Sequence, residues 1–167
     1  VVTSNDVDLA AAVRVSRRVE LRDIRLSHIS ASSPAYHPGA LKPHVQHECS
    51  GKAIEDETIE VTCAYRFHGI SDSEEAVLDA SLTYLLLYKI VGAEPVDAAD
   101  LNHFAYASGT LHSWPFARQL LFGLTADMGY PPFMLPVHKH QPAKTATPPE
   151  TVVAESPALT TGIEEEQ

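Results

Sequence analysis

Four clusters in the sequence carry side chains able to do chemistry. His44-Val-Gln-His47-Glu-Cys49, with His37 shortly before it, holds residue types that ligate zinc. On a strand, however, His44 and His47 point to opposite faces, because successive side chains alternate. No second cysteine follows at zinc-ribbon spacing. Polar surface histidines describe the stretch better than a metal centre. Asp72, Glu74 and Glu75 lie among Ser71 and Ser73, the composition of a hairpin turn rather than of paired catalytic carboxylates. Arg14, Arg17, Arg18, Arg22 and Arg25 fit a solvated helix end followed by a strand edge. His138-Lys139-His140 reads as solvated. The chain has no G-x-S-x-G elbow, no P-loop and no G-x-G-x-x-G run. The expectation is a protein that is not an enzyme, with no catalytic residue, no metal and no cofactor.

The charge balance narrows the partners. Net charge is −10 at pH 7, and between residues 43 and 110 only Lys52, Arg66 and Lys89 are strong bases. Nucleic-acid binding draws most of its affinity from neutralising phosphates, so an acidic domain argues against it. No apolar run reaches the length of a membrane span, and Val1 to Ala12 lacks the apolar core of a signal peptide. Cys49 and Cys63 both fall in apolar-patterned runs and read as small core residues of a reducing compartment. A cytoplasmic protein is expected.

The elements that position these groups are legible from periodicity. Ser4-Asn5-Asp6 offers an N-cap for a helix over Val7–Arg18, with Leu9 and Val13 four residues apart. Strands are expected over 19–31, weakly over 45–49, and clearly over 57–70 and 75–91, where apolar and polar residues alternate. Near Leu85-Leu86-Leu87 both faces of the last strand turn apolar. Asp97 caps a short helix to Ala107, and Gly109 is expected to end it. A second helix then starts at Ser113 and Pro115 and buries Ala117, Leu121, Leu124 and Met128. Gly129 suits a left-handed cap, and Pro131-Pro132 forbid continuation. The fold class is therefore α+β: a helix, three or four antiparallel strands and two further helices, with helices packed on one face of the sheet. Residues 1–18 form a helical extension and 19–138 the folded domain. Residues 139–167, rich in Pro, Thr, Ala and Glu, read as a disordered acidic tail, with a peripheral strand near Thr151–Val153 as the alternative.

Apolar residues also stand where water is expected: Tyr36 and Leu41 in a Pro-rich loop, Tyr84, Leu86 and Tyr88 at a strand end, Phe133 and Met134 after the helix. One at a time they read as core or oligomer interface. Together they point to a groove for extended apolar peptides, or to a protein interface.

Trp-Pro-Phe-Ala-Arg at 114–118 and Gly-Tyr-Pro-Pro-Phe-Met-Leu-Pro-Val at 129–137 resemble paired motifs of the SecB export-chaperone family. The strand from Glu74 to Gly92 and Arg22-Asp23-Ile24 are also similar to that family, and the likeness covers residues 19–137. The resemblance implies a SecB-like fold, a four-stranded antiparallel sheet with helices packed on one face, to which this chain adds an extra N-terminal helix. It also implies a homotetramer built as a dimer of dimers through edge strands and the 97–107 helix, and ATP-independent holding of unfolded chains. The client-binding groove it implies draws on Tyr36, Leu41, Tyr65, Phe67, Tyr84, Leu86, Tyr88, Phe133 and Leu135. A partner-docking sheet face would carry Asp23 and Asp79. Departures bear on the partner. Ser27 and Ser81 stand where the family has acids that dock the SecA motor, Leu111 replaces an Asn, and the amphipathic C-terminal helix is missing. The N-terminal extension is similar to SecB-like chaperones of toxin–antitoxin–chaperone modules. A dedicated antitoxin chaperone is expected before a general feeder of SecA. A non-chaperone oligomeric interaction protein is the alternative from another class.

Overall fold

The computed structural model describes residues 7–34, 41–54, 57–92 and 96–138. The element order is α1 (Leu9–Ser16), β1 (Val19–Ser32), β2 (Lys42–Ile54), β3 (Thr58–Ile70), β4 (Ala76–Ile90), α2 (Ala98–Phe104), a π-helical turn (Ala105–Gly109) and α3 (Thr110–Asp127). The sheet is antiparallel in the order β1-β4-β3-β2, and the helices lie on one face of it. This is the fold class expected from the alternation of the strands. β2 is thirteen residues long rather than a short strand at 45–49, because it pairs with β3 in unbroken register from Lys42↔Ile70 to Ile54↔Thr58.

Alternation decides which side chains meet the helices. Ile59, Val61, Cys63, Tyr65 and Phe67 of β3 and Leu78, Ala80, Leu82, Tyr84, Leu86 and Tyr88 of β4 are buried on one face. Their neighbours form the opposite face, over which no helix of the described residues lies. Cross-strand pairing sets that face in rows, such as His44–His68–Asp79–Ser32 and Lys52–Glu60–Leu87–Asp23. Acidic and basic groups pair there, as in His68–Asp79 at 2.9 Å and Lys52–Glu60 at 2.8 Å.

Register also brings Cys49 directly opposite Cys63, and the two are joined as a disulfide. The expectation of two reduced core thiols is corrected here. Fourteen residues separate them in sequence, and only the β2–β3 pairing shows that they face each other.

Helix α1 is capped by Asp8, whose Oδ1 accepts from the N–H groups of Ala10 and Ala11; Ser4-Asn5-Asp6 lies outside the described residues. The buried stripe is Ala11, Ala12 and Val15, while Leu9 and Val13 are exposed. The small residues let α1 come close to α2, and Arg14 clamps Asp100 with two 2.7 Å bonds.

The expected break at Gly109 does not occur. α2 passes through the π turn into α3 without leaving helical dihedrals, and Gly109 has φ −60°. Gly109 serves close packing instead: a Cβ there would lie 2.7 Å from Val61 Cγ1 and 2.8 Å from Cys63 Sγ. The π turn thus crosses the sheet directly over the disulfide. Ser113, expected as a cap, lies inside the helix and donates to the Gly109 carbonyl at 2.6 Å. The end of α3 follows expectation. Gly129 has φ +83°, its N–H bonds Ala126 O, and the Tyr130 N–H bonds Thr125 O, the pair of bonds that closes a helix on a left-handed residue.

Candidate functional site

Past Gly129 the chain returns along α3 as an extended segment, 131–138. Among the described residues it has no strand partner, and side chains hold it. Thr125 Oγ1 accepts from the Phe133 N–H at 2.8 Å, Leu135 is fully buried, Phe133 packs on Phe67 with ring centroids 4.7 Å apart, and Trp114 Nε1 donates to Pro136 O at 2.8 Å. Helix α3 becomes a ridge with an apolar groove on each side, and Gln119 lines both.

The first groove, about 540 Å³, runs between α3 and the 131–138 segment. Its walls are Leu111, Trp114, Pro115, Phe122, Met134 and Val137, and Arg118 is the one strong charge among its described lining residues. Leu111, Phe122, Met134 and Val137 are 42–67% exposed. Side chains of that size stay in water only at a cost in hydrophobic free energy, which an apolar occupant would recover. Three rings meet edge to face at its wall: His47 lies 5.3 Å from Trp114 and 5.5 Å from His138, and Trp114 lies 5.0 Å from His138 at a tilt. The second groove, about 400 Å³, lies between α3 and the β1–β4 edge and is lined by Leu26, Tyr84, Phe116, Leu120 and Leu124. Leu26 and Ile29 remain 40% and 45% exposed because β1 extends beyond the cover of the helices.

Beneath the ridge, polar bonds key α3 to the sheet. Tyr65 donates to Ser113 Oγ at 2.6 Å, and the Tyr88 hydroxyl meets His112 Nδ1 at 2.9 Å. Burial pushes the Tyr65 phenol up to about 12, with the Ser113 bond opposing it, and burial also raises Tyr84 and Tyr88. All three phenols stay neutral at pH 7.

The residues named for a groove from the sequence fall into three places. Tyr65, Phe67, Leu86, Tyr88 and Leu135 are each no more than 2% exposed in the single chain and form the core beneath the ridge. Tyr84 lines the second groove, and Leu41 and Phe133 are half-buried at the margin of the core. Tyr36 lies outside the described residues. Asp23 and Asp79 both lie on the open sheet face, but eight residues apart along β4, because Asp23 pairs with Leu87. That is roughly 27 Å. Leu111, Pro115 and Phe122, missed as wall residues, recur at i, i+4, i+11, a second apolar stripe on α3 beside the one that meets the sheet.

Among the described residues no three His, Cys, Asp or Glu side chains come together as a metal-ligand set. His44 lies on the open face and His47 on the helix face, with Cys49 in the disulfide. No helix of the described residues is long and apolar enough to cross a membrane.

This architecture is a SecB-like fold. Among solved structures, the chain is similar to the Mycobacterium tuberculosis Rv1957 SecB-like chaperone in complex with a ChAD peptide from the Rv1956 HigA1 antitoxin. The TM-score is 0.71 and the identity 20%, over 79% of this chain and 100% of that one. A weaker likeness, TM-score 0.42 at 8% identity over 71% of this chain and 96% of that one, is to a protein of unknown function from Streptococcus agalactiae. No family model and no curated protein matches the sequence.

Proposed function

We propose that this chain is an ATP-independent holdase that binds unfolded or aggregation-prone polypeptides in the two grooves beside α3, and that its dedicated client is an antitoxin of a toxin–antitoxin–chaperone module. The observation that carries the reading is the pair of preformed apolar grooves with large side chains left in water. An extended client segment lying along α3 would bury Phe122, Met134 and Val137 on one side or Leu26 and Phe116 on the other. A client spanning both grooves gains affinity through effective concentration. The antitoxin peptide carried by the mycobacterial neighbour supports a peptide client here.

Delivery of preproteins to SecA is the weaker variant of the same reading. The open sheet face pairs acidic side chains with Lys52 and His68, and Asp23 and Asp79 are far apart on it. A homotetramer, built as a dimer of dimers, would multiply the grooves per particle. Residues 1–18 would serve as the extension, 19–138 as the chaperone domain and 139–167 as the tail. The protein would act in the cytoplasm, with no cofactor, no nucleic acid and no enzymatic step.

The test is suppression of aggregation of a chemically unfolded, unrelated protein, without nucleotide, alongside the protein's mass in solution. Suppression at near-stoichiometric tetramer is the expected result. No suppression, and no retention of any antitoxin-derived peptide, would leave a non-chaperone interaction protein.

A further inference from the structure

The 131–138 segment ends at His138, which itself lines the first groove. The chain therefore leaves the described fold from inside that groove. Twenty-nine residues follow in the sequence, 139–167, and their longest apolar run is Val152-Val153-Ala154. Val152 is fourteen residues beyond His138, a reach of up to about 46 Å when extended. The groove runs beside α3 from Leu111 to Phe122, roughly 17 Å of helix. The apolar run can thus return over the groove it departed from.

Chemistry favours that return. Thr151 and the two valines are β-branched and suit an extended segment laid along a groove wall. Glu150 and Glu155 flank the run on either side. Among the described lining residues Arg118 is the one strong cation and none is acidic. An acid-flanked apolar segment therefore meets apolar walls and a basic group. Tethering raises the local concentration of such a segment to the order of millimolar, enough for a weak contact to be populated.

We infer that residues 150–155 occupy the groove between α3 and the 131–138 segment when no client is bound, so that the chain's own tail competes for its client site. The competition rests on the holdase reading; the docking stands without it. A self-ligand of this kind keeps the exposed apolar walls covered in the empty chaperone and gives way to a client with more apolar contacts.

The test uses the full chain. Trp114 is the sole tryptophan and a wall of the groove, so its emission reports occupancy directly. In the double variant Val152→Asp, Val153→Asp, Trp114 emission should shift to the red and binding of the dye anilinonaphthalene sulfonate should rise severalfold, with the circular dichroism spectrum unchanged. A synthetic peptide of residues 147–160, added to the variant, should reverse both changes. Identical emission and dye binding in the two proteins would overturn the inference, as would a peptide without effect. Aggregation suppression, run on the same samples, separates the two claims. Unchanged Trp114 emission with intact suppression removes the tail and leaves the holdase. A red shift with no suppression in either protein keeps the tail contact and removes the holdase.

Discussion

Trp114 on α3 donates its indole N–H to the Pro136 carbonyl at 2.8 Å, a bond between a helix and the extended segment that returns along it. It ties α3 to the returning segment, the two elements between which the first groove runs. Trp114→Phe keeps a ring and removes the donor. The loss expected is about 1 kcal/mol of stability, with peptide affinity about fivefold weaker. Denaturant unfolding and fluorescence anisotropy of a labelled client peptide measure the two. Unaltered peptide affinity would show that this bond does not shape the groove.

Surface and core positions separate function from folding. Phe122 is 42% exposed on the groove wall, whereas Leu86 is fully buried below α3. Phe122→Asp should weaken client binding by about 2 kcal/mol, roughly 30-fold, with the fold intact. Leu86→Asp buries a charge without a partner and should cost more than about 4 kcal/mol, enough to unfold the domain. A well-folded Leu86→Asp protein by circular dichroism would show that the sheet–helix interface is not the core described above.

Gly109 and Gly123 make a matched pair on the helical run. A methyl at Gly109 meets Val61 and Cys63 inside 3 Å, while nothing lies within 4 Å of one at Gly123. Gly109→Ala should destabilise by about 1–3 kcal/mol through overpacking. Gly123→Ala should stabilise by roughly 0.5–1 kcal/mol through helix propensity. Urea midpoints read both, and a Gly109→Ala midpoint at or above that of the parent would contradict the close crossing over the disulfide.

His112 sets a pH dependence. Burial holds its imidazole below the ordinary 6.5. The folded state therefore resists the proton that the unfolded chain accepts, so the unfolded chain binds more protons as pH falls. The neutral-His112 contribution to stability is complete above about pH 6.5 and is lost as pH drops through the folded value. His112→Gln should flatten the decline of the thermal midpoint on the acid side of pH 6.5. Parallel curves for the two proteins between pH 7.5 and 5 would show that another group governs the decline.

Local chemistry made much of the frame readable in advance. Two-residue alternation in β3 and β4 identifies the buried face, since a slip of one residue would expose every one of its apolar side chains. Asp97 caps α2 through a bond to the Ala99 N–H, and Gly129 closes α3, because these depend on residues within one turn of the chain. In α1 the larger Leu9 and Val13 share one face, but the close approach to α2 buries the smaller Ala11, Ala12 and Val15 instead.

What the sequence determined by itself is what repeats or caps locally: the long strands β3 and β4, the Asp97 cap of α2, the Gly129 close of α3, and an excess of apolar residues over a single simple core. The tertiary structure alone decided which of those residues line a groove. Tyr65, Leu86 and Tyr88 were as apolar in sequence as Leu111, Phe122 and Met134; α3 covers the first set and leaves the second beside it. It also set Cys49 against Cys63 and carried the helix through Gly109, since both follow from strand register and from how closely a helix can cross a sheet. These are distances between residues far apart in the chain, and no periodicity along it encodes them.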